Sequence, residues 1–335
     1  MYINIVNWYS RHKRDLAFRK YNDPYAVWVS EIMAQQTKID TMLPYFDRWM
    51  TTLPTIEKCA NASIEEILKL WEGLGYYRRA RLLHEGCIYL KNNFNSIFPE
   101  NYDEVIKIPG IGEYSAAAIC SIVFNHSIPA IDGNVMRIVT RMQMIYQDIS
   151  KLSTKKKVKE VVNDWISIET EKDMSSFTQG LMEIGALVCT PKNPKCESCP
   201  LNINCLSFKH NVQHDFPVKK KKPKSPIFNY SVLIIIENNQ ILVSNDWSDG
   251  LMKGLLRLPQ VDSQALSNFY NVKMLDSFNH VFSHKVWSLD VYTCSLKSTH
   301  QVLINSNWYW LNLNEIDSQA WITAHKKIIT SFVKV

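Results

Sequence analysis

Four of the eight cysteines, Cys189, Cys196, Cys199 and Cys205, crowd into seventeen residues with the spacing C-x6-C-x2-C-x5-C, and no other feature so narrows what the chain can become. Pro191, Pro194 and Pro200 lie among them and keep the stretch a loop able to wrap one centre. The N-terminus carries no export pattern, so a reducing compartment is expected and metal ligation takes precedence over disulfides. Zinc also accepts four thiolates, usually from two short C-x2-4-C pairs. The asymmetric spacing here suits a cubane [4Fe–4S] cluster better.

A chain of 335 residues exceeds what one hydrophobic core usually supports, and 46% hydrophobic against 21% charged residues excludes general disorder. Its strongest apolar stretch, Val232 to Ile236, falls far short of the roughly 20 residues that a membrane span needs. The net charge of +6 is concentrated: residues 206–224 hold six Lys and Arg against one acidic residue, while the flanking parts are nearly balanced. Lys219 to Lys222, Pro223 and Lys224 cannot bury a core, so this run is expected to be a solvated tether that adds non-specific affinity for phosphates. The resulting division is residues 1–205, including the cysteine loop 189–205, a basic linker 206–226, and a second domain 227–335.

Periodicity within 1–205 is helical almost throughout, with Ser63 and Glu66 forming a capping box and 3.6-residue apolar faces over 76–92, 114–125, 132–146, 155–168 and 175–188. Beyond the linker the pattern changes to α+β. Tyr230–Glu237 and Ile241–Asn245, joined by Asn238-Asn239, predict a hairpin; Val281–Tyr292 predicts a long strand and Ile322–Val333 a closing helix. The fold class is therefore mainly helical with a smaller α+β domain. In Ile108-Pro109-Gly110-Ile111-Gly112, two glycines bracket one apolar residue ahead of a helix, so a tight turn there can present amide N–H groups to a phosphate. An ordinary helix–helix turn has the same composition. Asp132, twenty residues on in Ile131-Asp132-Gly133-Asn134, can cap the next helix and still serve chemistry.

The hairpin, Asp132 and the cysteine loop together resemble the helix-hairpin-helix superfamily of base-excision DNA glycosylases. Within it, Ser30-Glu31-Ile32-Met33-Ala34-Gln35-Gln36-Thr37 and Gly73-Leu74-Gly75-Tyr76-Tyr77-Arg78 resemble the adenine DNA glycosylase (MutY) family. That resemblance implies a two-lobed helical fold with a [4Fe–4S] cluster on the four cysteines, and double-stranded DNA containing A:8-oxoguanine or A:G mispairs as partner. It further implies a monomer in the bacterial cytoplasm, associated with the nucleoid. Glu31 is implied as the acid that protonates adenine, Asp132 as the carboxylate facing an oxocarbenium-like sugar, and Asn134 as their orienting neighbour. Relatives that also cut the strand use a lysine after the hairpin; Tyr114 stands there, and a phenol forms no imine, so a monofunctional enzyme is expected. Gln36 and Tyr76 match residues inserted into the base stack, Gly110 and Gly112 the backbone grip, and Arg19 and Glu183 the pocket for the extruded base. Ala17-Phe18 depart from the Pro-Trp pair usual before that arginine.

The second domain resembles the MutT-like, Nudix-fold domain of the same family. Nucleotide hydrolysis by that fold needs a glutamate-rich helix for Mg²⁺, and no glutamate occurs between Glu237 and Glu315. Phe282, Ser283 and His284, expected at the start of a strand, match the loop that reads 8-oxoguanine. Gly250-Leu251 and Leu258-Pro259-Gln260 also fit, with Met252 in place of a usual tryptophan. Two other readings stand beside this one. An endonuclease III-like glycosylase/lyase is opposed by Tyr114 and by the extra domain, and a catalytically silent iron–sulfur DNA-binding protein by Glu31 and Asp132.

Overall fold

The computed structural model describes residues 1–220, 223–245, 247, 252–297 and 307–333. Two compact units emerge: Met1–Asn61 with Glu85–Lys221, and Ala62–His84 with Lys222–Val335. The segment Ala62–His84 thus groups with the C-terminal residues rather than with its neighbours in sequence.

Among the described residues twelve α-helices precede the strands: α1 (Tyr2–His12), α2 (Pro24–Ala34), α3 (Ile39–Thr52), α4 (Ile56–Asn61), α5 (Ile64–Leu70), α6 (Arg78–Phe94), α7 (Tyr102–Val105), α8 (Glu113–Val123), α9 (Gly133–Met142), α10 (Leu152–Ser167), α11 (Met174–Leu187) and α12 (Leu206–Lys209). In the first unit, α1, α9, α10 and α11 bury one face each around Ile5, Val139, Val162 and Phe177, with the Tyr2 and Phe177 rings stacked at 4.8 Å. Helix α2 is different because it is apolar around its whole girth, which marks a core helix rather than a surface one. Tyr25 to Ser30, Ile32 and Met33 are all buried, and Asp23 caps its start by accepting from the Ala26 amide at 2.9 Å. Glu31 is the only charged residue in that helix.

The N-caps foreseen from the sequence form, the capping box at Ser63 by its serine half. The Ser63 hydroxyl accepts from the Glu66 amide at 3.1 Å at the start of α5, and Asp132 caps α9. Between α7 and α8 the chain turns through Gly110, whose φ of +85° lies in the left-handed region where a side chain is disfavoured. Buried Ile108 and Ile111 pin the turn, closed by an Ile111 N–H to Ile108 carbonyl bond of 3.0 Å, and leave Gly112 exposed at the start of α8.

The stretch read as a solvated tether is instead folded through Lys220. Phe216 is the reason: an aromatic ring among the lysines is 2% exposed, the Ile149 amide donates to the Val218 carbonyl, and the Lys220 amide reaches Asp148. Lys221 and Lys222 lie outside the described residues.

Among the described residues of the second unit, β1 (Ile227–Ile234), β2 (Ile236–Glu237), β3 (Gln240–Ser244), β4 (Gln260–Val261), β5 (Phe269–Val281), β6 (Val286–Leu296) and β7 (Trp308–Asn312) form two sheets, with strand orders β4-β1-β6-β5 and β2-β3-β7. Helix α13 (Thr323–Phe332) closes the chain. Asn238 and Asn239 turn with φ of +50° and +63°, as a tight two-residue hairpin requires. Two expectations need correction. The strand foreseen over Tyr230–Glu237 is split between the two sheets, and the one foreseen from Val281 begins at Val286. Residues 282–285 form the turn of the β5–β6 hairpin, closed by the Phe282 amide on the Lys285 carbonyl at 2.8 Å, so Ser283 and His284 sit on a loop tip. Gly250 and Leu251 lie outside the described residues.

Candidate active site

A cavity of about 950 Å³ opens in the first unit, and Glu31, Tyr114, Asp132, Asn134, Arg19, Glu183 and Gln36 all line it. Helix α2 delivers Glu31, the first turn of α8 Tyr114, the N-terminus of α9 Asp132 and Asn134, and α11 Glu183. Phe18 is also in the wall, so the position that departs from the family pattern still presents an aromatic ring there.

The Glu31 carboxyl is buried in the cavity wall, and loss of water pushes it up to about 7. The negative charge of Asp132 adds to the rise, while the Tyr114 hydroxyl, which donates to Oε2 of Glu31, and Arg19 oppose it. Burial raises the Tyr114 phenol well above its ordinary value, so it stays a proton donor. Asp132 is differently served. Its Oδ1 accepts from the Val135 amide and its Oδ2 from Asn134 Nδ2, each at 2.7 Å. Burial raises its carboxyl, but these bonds and Arg137 favour the ion. Arg137 in turn holds Oδ1 of Asn134 at 2.8 Å and the carbonyls of Gly185 and Cys189 at 2.7 Å. Only a glycine fits at 185: a Cβ there would stand 2.4 Å from the Asn134 Cβ.

Glu183, 1% exposed, is clasped by two guanidinium groups. Arg19 reaches it at 2.7 Å, and Arg14 binds it bidentately at 2.7 and 2.9 Å. These donors overcome burial and hold the carboxylate down at about 2. Sequence reasoning missed Arg14, which carries no motif and meets its partner 169 residues away. It missed Arg137 and Arg141 for the same reason.

The four clustered cysteines line a second cavity of about 30 Å³, together with Arg141. Arg141 spans the loop, donating to the Cys189 Sγ at 3.2 Å and to the Thr190 and Pro191 carbonyls. Among the described residues no three His, Cys, Asp or Glu side chains converge as ligands of a single ion. Four thiols and one guanidinium around a common cavity nevertheless fit the donor chemistry of a cubane, which needs four separated thiolates rather than one point of convergence.

Gln36 and Tyr76 are both exposed and both left-handed, with φ of +58° and +50°. Non-glycine residues seldom adopt this conformation without support, and such strain gathers at functional positions. Tyr76, Phe282, Ser283 and His284 belong to the second unit, where the Phe282 ring meets His280 and Trp287 edge-on. No helix among the described residues is long and apolar enough to cross a membrane.

Residues 29–164 match the HhH-GPD superfamily of base excision DNA repair proteins, and residues 231–331 a NUDIX domain. Among solved structures, a thermostable thymine-DNA glycosylase (TM-score 0.54, 24% identity, 62% of this chain and 94% of that one) and endonuclease III in a non-covalent DNA complex (0.52, 22%, 63% and 94%) share the helical fold. The adenine DNA glycosylase of Buchnera aphidicola from Schizaphis graminum is 36% identical over 295 residues, covering 84% of this chain and 83% of that protein. The one from the Baizongia pistaciae strain is 34% identical over 347 residues, covering 99% and 97%. Identity of this extent along nearly the whole length means that the chain belongs to the adenine DNA glycosylase family.

Proposed function

We propose that this protein hydrolyses the N-glycosidic bond of adenine mispaired with 8-oxoguanine or guanine, and that it does so without a lyase step. The observation that carries the reading is a carboxyl held near neutrality, Glu31, bonded to a phenol and facing a second carboxylate in one cavity. Adenine leaves poorly as an anion. A proton delivered from Glu31 to the ring lowers that barrier as the bond stretches. The sugar then gains positive charge, which Asp132, fixed by two donors and unable to turn away, stabilises electrostatically until water adds. Asn134 holds Asp132 in place, and the phenol of Tyr114 orients the Glu31 carboxyl.

The remaining roles are those that the family resemblance assigns. Arg19 and Glu183 form a locked polar wall for the extruded base. Gln36 and Tyr76 fill the gap it leaves, Gly110 and Gly112 present backbone to a phosphate, and Phe282, Ser283 and His284 read the opposite 8-oxoguanine. Cys189, Cys196, Cys199 and Cys205 would hold a [4Fe–4S] cluster, whose contribution is a rigid crosslink of the loop. The functional division is a glycosylase domain 1–205, a basic segment 206–226 that is folded as far as Lys220, and a recognition domain 227–335, and the protein acts as a monomer on nucleoid DNA in the bacterial cytoplasm.

The test uses duplexes with adenine opposite 8-oxoguanine, guanine or thymine, scored for free base and for strand breaks before alkali. Adenine release from the first two without breaks is expected, and Ser283→Ala with His284→Ala should narrow the preference for 8-oxoguanine. Lys20, Lys38 and Lys219 also line the cavity, so borohydride trapping is included. A trapped protein–DNA crosslink would reject the monofunctional mechanism.

A further inference from the structure

Tyr76 sits on a turn whose conformation is costly. Gly73, Gly75 and Tyr76 all have positive φ, of +97°, +75° and +50°. Local bonds hold the turn: Trp71 Nε1 donates to the Gly75 carbonyl at 3.0 Å, Arg79 reaches the same oxygen at 3.0 Å, and the Tyr77 hydroxyl accepts from the Gly73 amide at 3.1 Å. The Arg79 guanidinium also lies over the Trp71 and Tyr76 rings, at 5.3 and 5.4 Å.

None of these bonds fixes where the turn as a whole stands. Three side chains do so within the second unit: Tyr77, whose hydroxyl also donates to the Trp321 carbonyl at 3.5 Å, and more closely Lys69 in the last turn of α5 and Glu72 just after it. Glu72 accepts from the backbone amide of Trp321 at 3.0 Å with Oε1, and its Oε2 takes Lys69 Nζ at 2.8 Å. Lys69 continues to the Gln319 carbonyl at 2.7 Å. The receiving segment is itself held: the Trp321 ring is 0% exposed with Nε1 on the Ile316 carbonyl, and the backbone on either side is bonded to Leu256 in an isolated bridge. A flexible receptor could not transmit a position, and this one is part of the core.

We propose that Glu72, with Lys69, is a positioning residue through which the C-terminal residues set the pose of Tyr76. The inference rests on the reading of Tyr76 as a residue inserted into the duplex. It gives the C-terminal sheet domain a second task besides touching the opposite base, namely holding a catalytic-domain turn ready for insertion.

A double-mutant cycle in the full-length protein tests it. Single-turnover adenine release and duplex affinity are measured for wild type, Glu72→Ala, Tyr76→Ala and the double variant. If Glu72 acts through Tyr76, Glu72→Ala slows release about tenfold in the wild-type background and less than about twofold once Tyr76 is gone. Glu72→Gln keeps an acceptor for the Trp321 amide and should recover most of the loss. Equal losses in both backgrounds, as from mere loss of stability, overturn the proposal, and so does an unaffected Glu72→Ala. Should Glu72→Ala not fold, Lys69→Met replaces it under the same criterion. A wild type that releases no adenine refutes the proposed function instead, and the coupling is then judged on the four dissociation constants.

Discussion

Replacing Glu31 with glutamine should inactivate the protein and make it more stable, and the second effect depends on pH in a way that no other account predicts. Glutamine has the shape of the acid, can accept the Tyr114 hydroxyl, and cannot ionise. In the native state the carboxyl is pushed from 4.5 to about 7, chiefly by lost hydration. A folded value above the unfolded one means that the native state is favoured while the group is protonated and loses that advantage as the pH climbs from 4.5 through 7. With about 1.4 kcal/mol per unit, the wild type forfeits about 3 kcal/mol by pH 8 but only about 1 kcal/mol at pH 5. The variant forfeits nothing.

For a unit of this size each kcal/mol moves Tm by about 2–4 °C, so the variant should melt about 6–12 °C above wild type at pH 8 and only a few degrees above it at pH 5. Circular-dichroism melts of both proteins across that range measure the difference. Base release gives the complementary curve: the wild-type rate should fall tenfold per unit above about pH 7, as the acid loses its proton, while the variant is slower by about 10²–10⁴ below pH 7 and lacks that fall, so the gap narrows at higher pH. A Tm difference that is flat with pH, or a variant less stable than wild type at pH 8, would refute the claim that a dehydrated acid sits at this position.

Two further outcomes are specific to the geometry. The Tyr114 hydroxyl bonds to Glu31 and holds its carboxyl below where burial alone would put it, so Tyr114→Phe should move the falling limb of the rate–pH profile to higher pH; a shift the other way counts against that bond. Gly185→Ala should cost about 1–3 kcal/mol by pressing a methyl into Asn134. Its base release should fall further than the lost stability explains, and unchanged melting and rate would reject the close packing of α11 on α9.

What the sequence disclosed was what short-range physics writes into short stretches. Ser63, Asp132 and the Asn238-Asn239 turn each act on backbone within three residues, and they appear where they were read. The long edge strand β5 left no such trace. Its residues are mostly exposed, so neither alternation nor an apolar run marks it, and it exists because β6 pairs with it. The pairs Arg14–Glu183 and Glu72–Trp321, 169 and 249 residues apart, are equally silent, since either partner alone is an ordinary surface-type residue.

Glu31 shows how far pattern alone can be pushed. On a helix with one apolar stripe, a lone carboxylate would sit on the wet side and carry no message. Helix α2 offers no such side in its sequence, and the face that carries Glu31, with Val27, Ser30 and Ala34, lines the cavity. From Pro24 to Ala34 every other residue is uncharged, and almost all are buried, so any charge in that span must be set among them at the expense of its hydration. Such a cost persists in a fold only where something offsets it, and here the phenol of Tyr114 and the guanidinium of Arg19 do so in part, leaving the acid poised near neutrality rather than fully ionised or fully suppressed. The informative signal was therefore not the glutamate but the absence of any other polar face for it to occupy, a property of the eleven residues together that single-residue expectations about surface charges overlook.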